Sequence, residues 1–161
     1  MSLSRVELLR ADLITEFEAI KTSAGYRSSV VLPIADVVLD PARITDSPRI
    51  CVIFGPESIP VQNSTKEIFN SQVPVMVIGY VKVSTGLPGE NRVMSESADA
   101  LLHDMKRVMA GLMLKYKGAS NRWFVLNEPR PTATRFSVPQ SNIGWVSLEF
   151  TVQVFAQNGD F

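Results

Sequence analysis

The positions of the prolines limit where this chain can form long helices. The chain has ten prolines among its 161 residues. None precedes Pro33, and none lies between Pro88 and Pro129. Proline lacks a backbone N–H and disrupts the interior of a helix or of a central strand. The two proline-free stretches are therefore the places where long helices are expected, and the remainder favours short strands and loops.

Both proline-free stretches carry helical patterns. The first predicts a helix over about 4–24, because Ser4 and Glu7 have the spacing of a capping box and an apolar stripe follows them. The second predicts a helix over about 95–115, with acidic residues near its start, where they favour the helix dipole. The apolar stripes are Val6, Leu9, Leu13, Phe17 and Ile20 in the first helix, and Ala98, Leu101, Met105, Val108 and Leu112 in the second.

The remaining segments predict β-strands. A short β-branched run occupies 49–54, and 73–83 is apolar on both faces, as expected of a central strand. Further strands are predicted over 30–39 and 122–126. The last strand, 145–155, alternates most regularly. Its apolar positions are Val146, Leu148, Phe150, Val152 and Val154, and its other face carries Trp145, Ser147, Glu149, Thr151, Gln153 and Phe155.

This order of helix, strands, helix and strands predicts an α+β fold, with a mostly antiparallel sheet of about four to five strands and the two main helices on one face. We expect one domain over 1–161, with central strands over about 28–83 and C-terminal strands over about 122–156. Some irregular segments are long for connections in a compact domain, and we interpret them as arms that become ordered against another molecule. They are 40–48, 55–72 and 85–93.

The composition argues against several classes of protein. Sixteen Lys plus Arg balance sixteen Asp plus Glu, so the basic excess that drives nucleic-acid binding is missing. We expect no specific nucleic-acid binding. The single Cys and single His are too few for a disulfide framework or a structural zinc cluster. The acidic N-terminal region is unlike a signal peptide, and the longest apolar run, 73–83, is too short to span a membrane as a helix.

Few side chains are candidates for chemistry. His103 lies four residues after Asp99, a spacing at which helical side chains touch, and we interpret the two as a surface ion pair. A metal site formed by Glu96, Asp99 and His103 would lack a fourth ligand. We interpret Cys51, inside an apolar strand, as a small hydrophobic residue. The locally basic region 115–135 has interleaved aromatics; a solvated surface is favoured over a nucleic-acid contact. We expect no catalytic residues, no cofactor, no metal and no enzyme activity.

The order of elements in the second half is distinctive. Together with the N-terminal helix and the short strands that precede it, this order resembles the tail terminator (tail completion) proteins of long-tailed bacteriophages. The similarity covers most of the chain and lies in pattern, length and element order. The elements that carry it are the two-sided strand 73–83, the helix Ser95 to Met113, Gly118, the strand Arg122-Trp123-Phe124-Val125-Leu126, the link Glu128-Pro129-Arg130-Pro131 and the closing strand Trp145 to Val154.

The resemblance implies a hexameric ring in the virion tail, assembled in the host cytoplasm, that caps the tail tube, stops its polymerisation and joins the tail to the head. The implied partners are further copies of the chain, the tail tube protein and the neck or connector proteins; a sheath protein is a further candidate. A ring needs a heterologous interface. For subunit or partner contacts we expect the exposed face of the last strand and the arms to supply Trp145, Glu149, Gln153, Phe155, Glu57, Lys66, Glu90 and Arg92.

Two alternatives stay open at this point. A neck or head-completion adaptor would have the same size and arms, but it would bind the portal-side ring rather than the tube protein. A small α+β ligand-binding domain or enzyme would need a pocket with convergent polar groups. A pocket that brings Asp99, His103 and Cys51 together would favour this second alternative.

Overall fold

The chain folds into two main helices and an antiparallel sheet. The computed structural model describes residues 5–58, 68–83, 90–117, 124–126, 130–131, 136–137 and 142–157. In chain order the elements are α1 (Arg5–Glu18), 3-10 turns at Thr22–Ala24 and Pro41–Arg43, β1 (Arg49–Phe54), β2 (Ile68–Lys82), α2 (Glu90–Lys117), β3 (Phe124–Leu126), β4 (Arg130–Pro131), β5 (Phe136–Ser137) and β6 (Ile143–Gln157). The predicted α+β class and the antiparallel sheet are confirmed.

The sheet is built around one long pair of strands. β2 and β6 run antiparallel over their full lengths, from the pair Ile68 and Gln157 to the pair Lys82 and Ile143. β1 flanks β2 on one side, and β3, β4 and β5 pair with successive parts of the other side of β6. The predicted four to five strands are not confirmed, because beyond the three long strands the described part of the chain adds segments of two or three residues.

The main core lies between the helices and one face of the sheet. The predicted stripe of α1 is buried at Leu9, Leu13 and Phe17, while α2 buries its own stripe against β2 and β6. Burial of such side chains contributes about 1.5–3 kcal/mol each. The cluster includes Leu101, Met105, Val108 and Leu112 of α2 with Val52, Val75, Val77, Leu148, Phe150 and Val152 of the sheet.

Gly79 lets α2 approach β2 closely. A Cβ atom at this position would lie 2.6 Å from Leu101 Cδ2 and 3.0 Å from Met105 Sδ. An added Cβ would therefore force the Leu101 side chain, or the helix that carries it, to shift. The glycine therefore sets how deeply α2 packs into the sheet.

The segment 30–48, which we call the strap, replaces the strand predicted over 30–39. Only Ala35 pairs with β1, through bonds from its N–H to the Ile50 carbonyl (3.1 Å) and from the Val52 N–H to its own carbonyl (2.8 Å). Proline at position 33 has no N–H to donate, which interrupts a longer ladder. The strap then crosses onto the face of the sheet that the helices leave free, where Ile44 is buried.

The other predicted boundaries also shift. α1 ends at Glu18 rather than near 24, because a 3-10 turn closed by Gly25 at φ 80° follows it. α2 is longer than predicted at both ends. The capping residue Ser4 lies outside the described residues.

The predicted arms are shorter than expected. The segment 40–48 is not a free arm, because it belongs to the strap and contains the turn Pro41–Arg43. The arm 55–72 is shortened by β2, which begins at Ile68, and Ser58 pairs with Gln72. The arm 85–93 is shortened by α2, which begins at Glu90; the predicted arm residues 59–67 and 85–89 lie outside the described residues.

Candidate functional site

The face of the sheet turned away from the helices is the candidate functional surface. Alternation along β6 sends its even-numbered residues from Val146 into the helix-side core, and its odd-numbered residues to the other face. The strap covers one end of that face. On the remainder of this face we define the open face as Ile53, Met76, Glu149, Thr151 and Gln153.

Polar contacts fix the strap to the sheet. Lys82 Nζ donates to the Ile44 carbonyl at 2.8 Å, and the Lys82 N–H donates to Ser47 Oγ at 3.0 Å. Asp46 accepts from Arg49 Nη2 at 2.9 Å, and this bond lowers the pKa of the Asp46 carboxyl. The strap is thus held at its far end as well as at Ala35.

Cys51 and Tyr80 lie buried beneath the strap. Burial raises the pKa of the Cys51 thiol, which disfavours the reactive thiolate. Burial is the main cause that raises the pKa of Tyr80 to about 12, and the neighbouring Cys51 thiol adds to it. The interpretation of Cys51 as a small buried residue therefore agrees with its surroundings.

The open face combines apolar and polar side chains in register. Ile53 of β1, Met76 of β2 and Glu149 of β6 form one cross-strand row. The two apolar side chains are partly buried, because they pack against the border of the cluster beneath the strap, and Glu149 is exposed. Methionine is enriched in protein interfaces, whereas glutamate is depleted from their cores and the rim is polar, so Met76 fits the centre of a contact and Glu149 fits its rim.

Three of the predicted interface residues of the last strand lie on this side of the sheet. Glu149 and Gln153 belong to the open face, whereas Trp145 is half-buried against the cluster beneath the strap. Phe155 is paired with Asn70 in the ladder, and its side chain lies outside the described residues. The strand thus brings Trp145, Glu149 and Gln153 to one side, as the alternation predicts.

The predicted arm residues do not gather with them in the described part of the chain. Glu57 is exposed beyond the end of β1. Arg92 belongs to α2, on the opposite side of the sheet, and its Nε donates to Glu96 Oε1 at 2.8 Å. Glu90 is the first residue of α2, but its side chain, like the whole of Lys66, lies outside the described residues.

The side chains that were candidates for chemistry do not come together in one site. His103 Nδ1 lies 3.5 Å from Asp104 Oδ1, a contact that the spacing of the helix had not predicted. Cys51 lies on the face of the sheet opposite α2, so it shares no pocket with the two α2 residues. Among the described residues, no group of His, Cys, Asp and Glu could hold a metal ion, and Glu96 is paired with Arg92.

Asp104 is a buried polar residue that the sequence analysis missed. Its carboxylate is 0% exposed and accepts the backbone N–H groups of Arg27 (3.1 Å) and Ser28 (2.7 Å). Arg107 adds a bond to the Gly25 carbonyl at 2.7 Å and stacks over Tyr26. These residues fix the connection after α1 to α2. A charged residue within the apolar stripe of a helix is the sequence signal that would have revealed it.

No family model matches this chain, and no curated protein matches it significantly. None of the helices in the described part is long and apolar enough to cross a membrane.

Proposed function

We propose that this protein is a bacteriophage tail terminator: a ring-forming structural protein that caps the tail tube, stops its polymerisation and provides the surface that joins the tail to the head. The function is structural, and the proposal assigns no catalytic group, metal or cofactor. Its partners are further copies of the chain, the tube protein and the neck proteins.

The open face is the observation that carries this proposal. Both helices pack on one side of the sheet, while Ile53, Met76 and Glu149 form a partly exposed row on the other side. Such a row supports a role in contacts between proteins, because its apolar side chains gain stability when a partner removes them from water. The order of elements is also compatible with the resemblance.

The finer description of the sheet belongs to the same proposal. β3, β4 and β5 pair with residues 152–154, 148–149 and 144–145 of β6. Together they occupy the position of a fourth strand along β6. A sheet of four strands with both helices on one face is the architecture that we propose for the assembled subunit.

The mechanism requires two different surfaces on each subunit. One surface repeats around the ring, and it is heterologous because a ring closes only when one patch meets a different patch. Another surface binds the end of the tube and leaves no site for the next tube subunit. We assign Glu149 and Gln153 of the open face to these contacts, together with the arm residues Glu57, Lys66, Glu90 and Arg92.

The decisive experiment removes the gene from a phage that encodes this protein. We expect tails of uncontrolled length and heads without joined tails in electron micrographs, and restoration of both by the wild-type gene. Complementation by Glu149→Arg should fail, whereas the control Lys106→Glu, which changes an exposed charge on α2, should succeed. Normal tail lengths and normal joining after deletion would rule out the proposal.

A pull-down separates the proposed function from the adaptor alternative. Purified tube subunits should be retained by the immobilised protein and released by excess soluble protein. Retention of the portal-side ring instead of the tube protein would favour a neck or head-completion adaptor.

A further inference from the structure

The two parts of the strap are anchored differently. The first part contributes Val30 and Ile34 to the core on the helix side of the sheet. The second part, residues 36–47, lies on the opposite side of the sheet, and we call it the flap. Of the flap residues, all of which are described, only Ile44 is buried. The first part therefore belongs to the main core, whereas the flap rests on the surface of the sheet.

Both ends of the flap are fixed beside β1. Before the flap, Ala35 pairs with β1 through two backbone hydrogen bonds. After it, the Pro48 carbonyl accepts the Val31 N–H at 2.8 Å, and β1 begins at Arg49. Surface loops of this length whose ends lie close together form compact units. The flap can therefore leave the sheet without displacing β1.

The flap also holds its own shape through internal hydrogen bonds. The Asp40 carboxylate accepts the Ala42 N–H at 3.0 Å, and the Asp40 carbonyl accepts the Arg43 N–H at 2.9 Å. The Ile44 N–H donates to the Pro41 carbonyl at 3.3 Å. Because these bonds join flap residues to each other, they persist when the flap moves as a unit.

Lys82 makes three of the polar contacts that hold the flap on the sheet. Its Nζ donates to the Ile44 carbonyl at 2.8 Å, its N–H donates to Ser47 Oγ at 3.0 Å, and its carbonyl accepts from Ser47 Oγ at 3.2 Å. The two contacts with Ser47 are exposed to solvent. Segments held by solvent-exposed hydrogen bonds and few buried apolar contacts open at a lower free-energy cost than the whole protein.

Apolar burial also favours the closed flap only weakly. Val37 and Val38 are each 62% exposed, so the closed position removes little of their surface from water. Ile44 is buried and Leu39 is partly buried against the sheet. Ile44 is therefore the main apolar anchor of the flap.

The flap shields a cluster of buried side chains on the sheet. These side chains lie on the face turned away from both helices, and each is at most 7% exposed. The backbone of Leu39 contacts two of them, the Cys51 thiol and the Tyr80 hydroxyl. The members of the cluster on the sheet are Cys51, Ile78, Tyr80 and Ile143.

We propose that the flap is a displaceable cover, which opens as a unit while the helices and the sheet stay folded. Opening uncovers Cys51 and Tyr80 and joins their cluster to the open face, because Ile53 and Met76 already border that cluster. The apolar surface of the subunit then grows without any loss of the main core. This device is a property of the single chain and does not depend on the proposed ring.

The single cysteine of the chain allows the opening to be measured. Cys51 is 0% exposed, so dithionitrobenzoate reacts with its thiol in an open or unfolded state. When closing is faster than labelling, the labelling rate reports the fraction of open molecules. We expect labelling without urea to be slower than in the unfolded chain, but about tenfold or more faster than global unfolding allows. Low urea should change this rate weakly, because opening exposes far less surface than unfolding.

Variants of the flap and of the main core separate local opening from global unfolding. Ile44→Ala and Lys82→Met should each raise the labelling rate by about tenfold or more, because the first removes a buried anchor and the second a hydrogen bond from a charged group. Lys82 is exposed, so Lys82→Met keeps the test valid if Ile44→Ala does not fold. Leu112→Ala is the control, since it weakens the helix-side core and should leave labelling without urea unchanged.

Three results would overturn the displaceable flap. The first is labelling that follows global unfolding, with a steep dependence on urea and an increase in Leu112→Ala. The second is wild-type labelling as fast as that of the unfolded chain, because the flap would then not be closed. The third is an unchanged rate in both flap variants. The tail-length experiment is independent of all three, so the proposed function is tested separately.

Discussion

Asp104 is the residue on which the connection between α1 and the strap depends. Its buried carboxylate accepts two backbone N–H groups, from Arg27 and Ser28. We expect Asp104→Ala to lower the free energy of unfolding by about 3 kcal/mol, because hydrogen bonds to charged groups contribute about 1.5–3 kcal/mol and their loss leaves buried donors unpaired. Denaturant unfolding measures this change, with the exposed Lys106→Ala as the control. A loss no larger than that of the control would contradict the assigned role.

Tyr80 should make the protein sensitive to alkaline conditions. Its pKa is raised from an ordinary value of 10.0 to about 12, so the folded state favours the neutral hydroxyl. The stabilisation is complete below the pKa of the unfolded chain and is lost as the pH rises through the folded value. We expect unfolding free energy to fall between pH 10 and about 12, and Tyr80→Phe to reduce this slope. An unchanged slope in the variant would assign the alkaline loss to other groups.

The packing of α2 on β2 depends on glycine at position 79, whereas position 111 of α2 has room for alanine. We expect Gly79→Ala to destabilise the protein by about 1–3 kcal/mol, because the new Cβ overlaps Leu101 and Met105. Gly111 of α2 is the matched control, since a Cβ there meets no atom within 4 Å. Gly111→Ala should stabilise the protein by up to about 1 kcal/mol through helix propensity. Equal effects of the two substitutions in denaturant unfolding would contradict this account.

Contacts between the helices are polar at their exposed border. Lys115 Nζ donates to Asp12 Oδ1 at 2.7 Å, and the Tyr116 hydroxyl also donates to Asp12. The hydrogen bond to Asp12 raises the pKa of Lys115. The pKa of Tyr116 is raised mainly by burial, and the hydrogen bond to Asp12 adds to this effect. This shared carboxylate orients α1 on α2, whereas the apolar stripes supply most of the packing area.

At the scale of the whole molecule, assembly should depend on ionic strength. Glu149 of the open face is an exposed charge that we assign to contacts in the assembly, and salt screens exposed charges beyond a Debye length of about 8–10 Å. We expect sedimentation velocity to show weaker association as salt rises. Association that strengthens or stays constant would indicate that apolar contacts alone hold the copies together.

The sequence by itself determined the helices, their buried stripes and the alternating last strand, because these follow from local periodicity. It also predicted that Trp145, Glu149 and Gln153 share one side of the sheet. Only the tertiary structure decided that residues 30–48 form a strap, that β2 extends to Ile68, and that His103 pairs with Asp104. Each depends on a contact with a segment distant along the chain or on the exact direction of a side chain, and residue spacing carries neither.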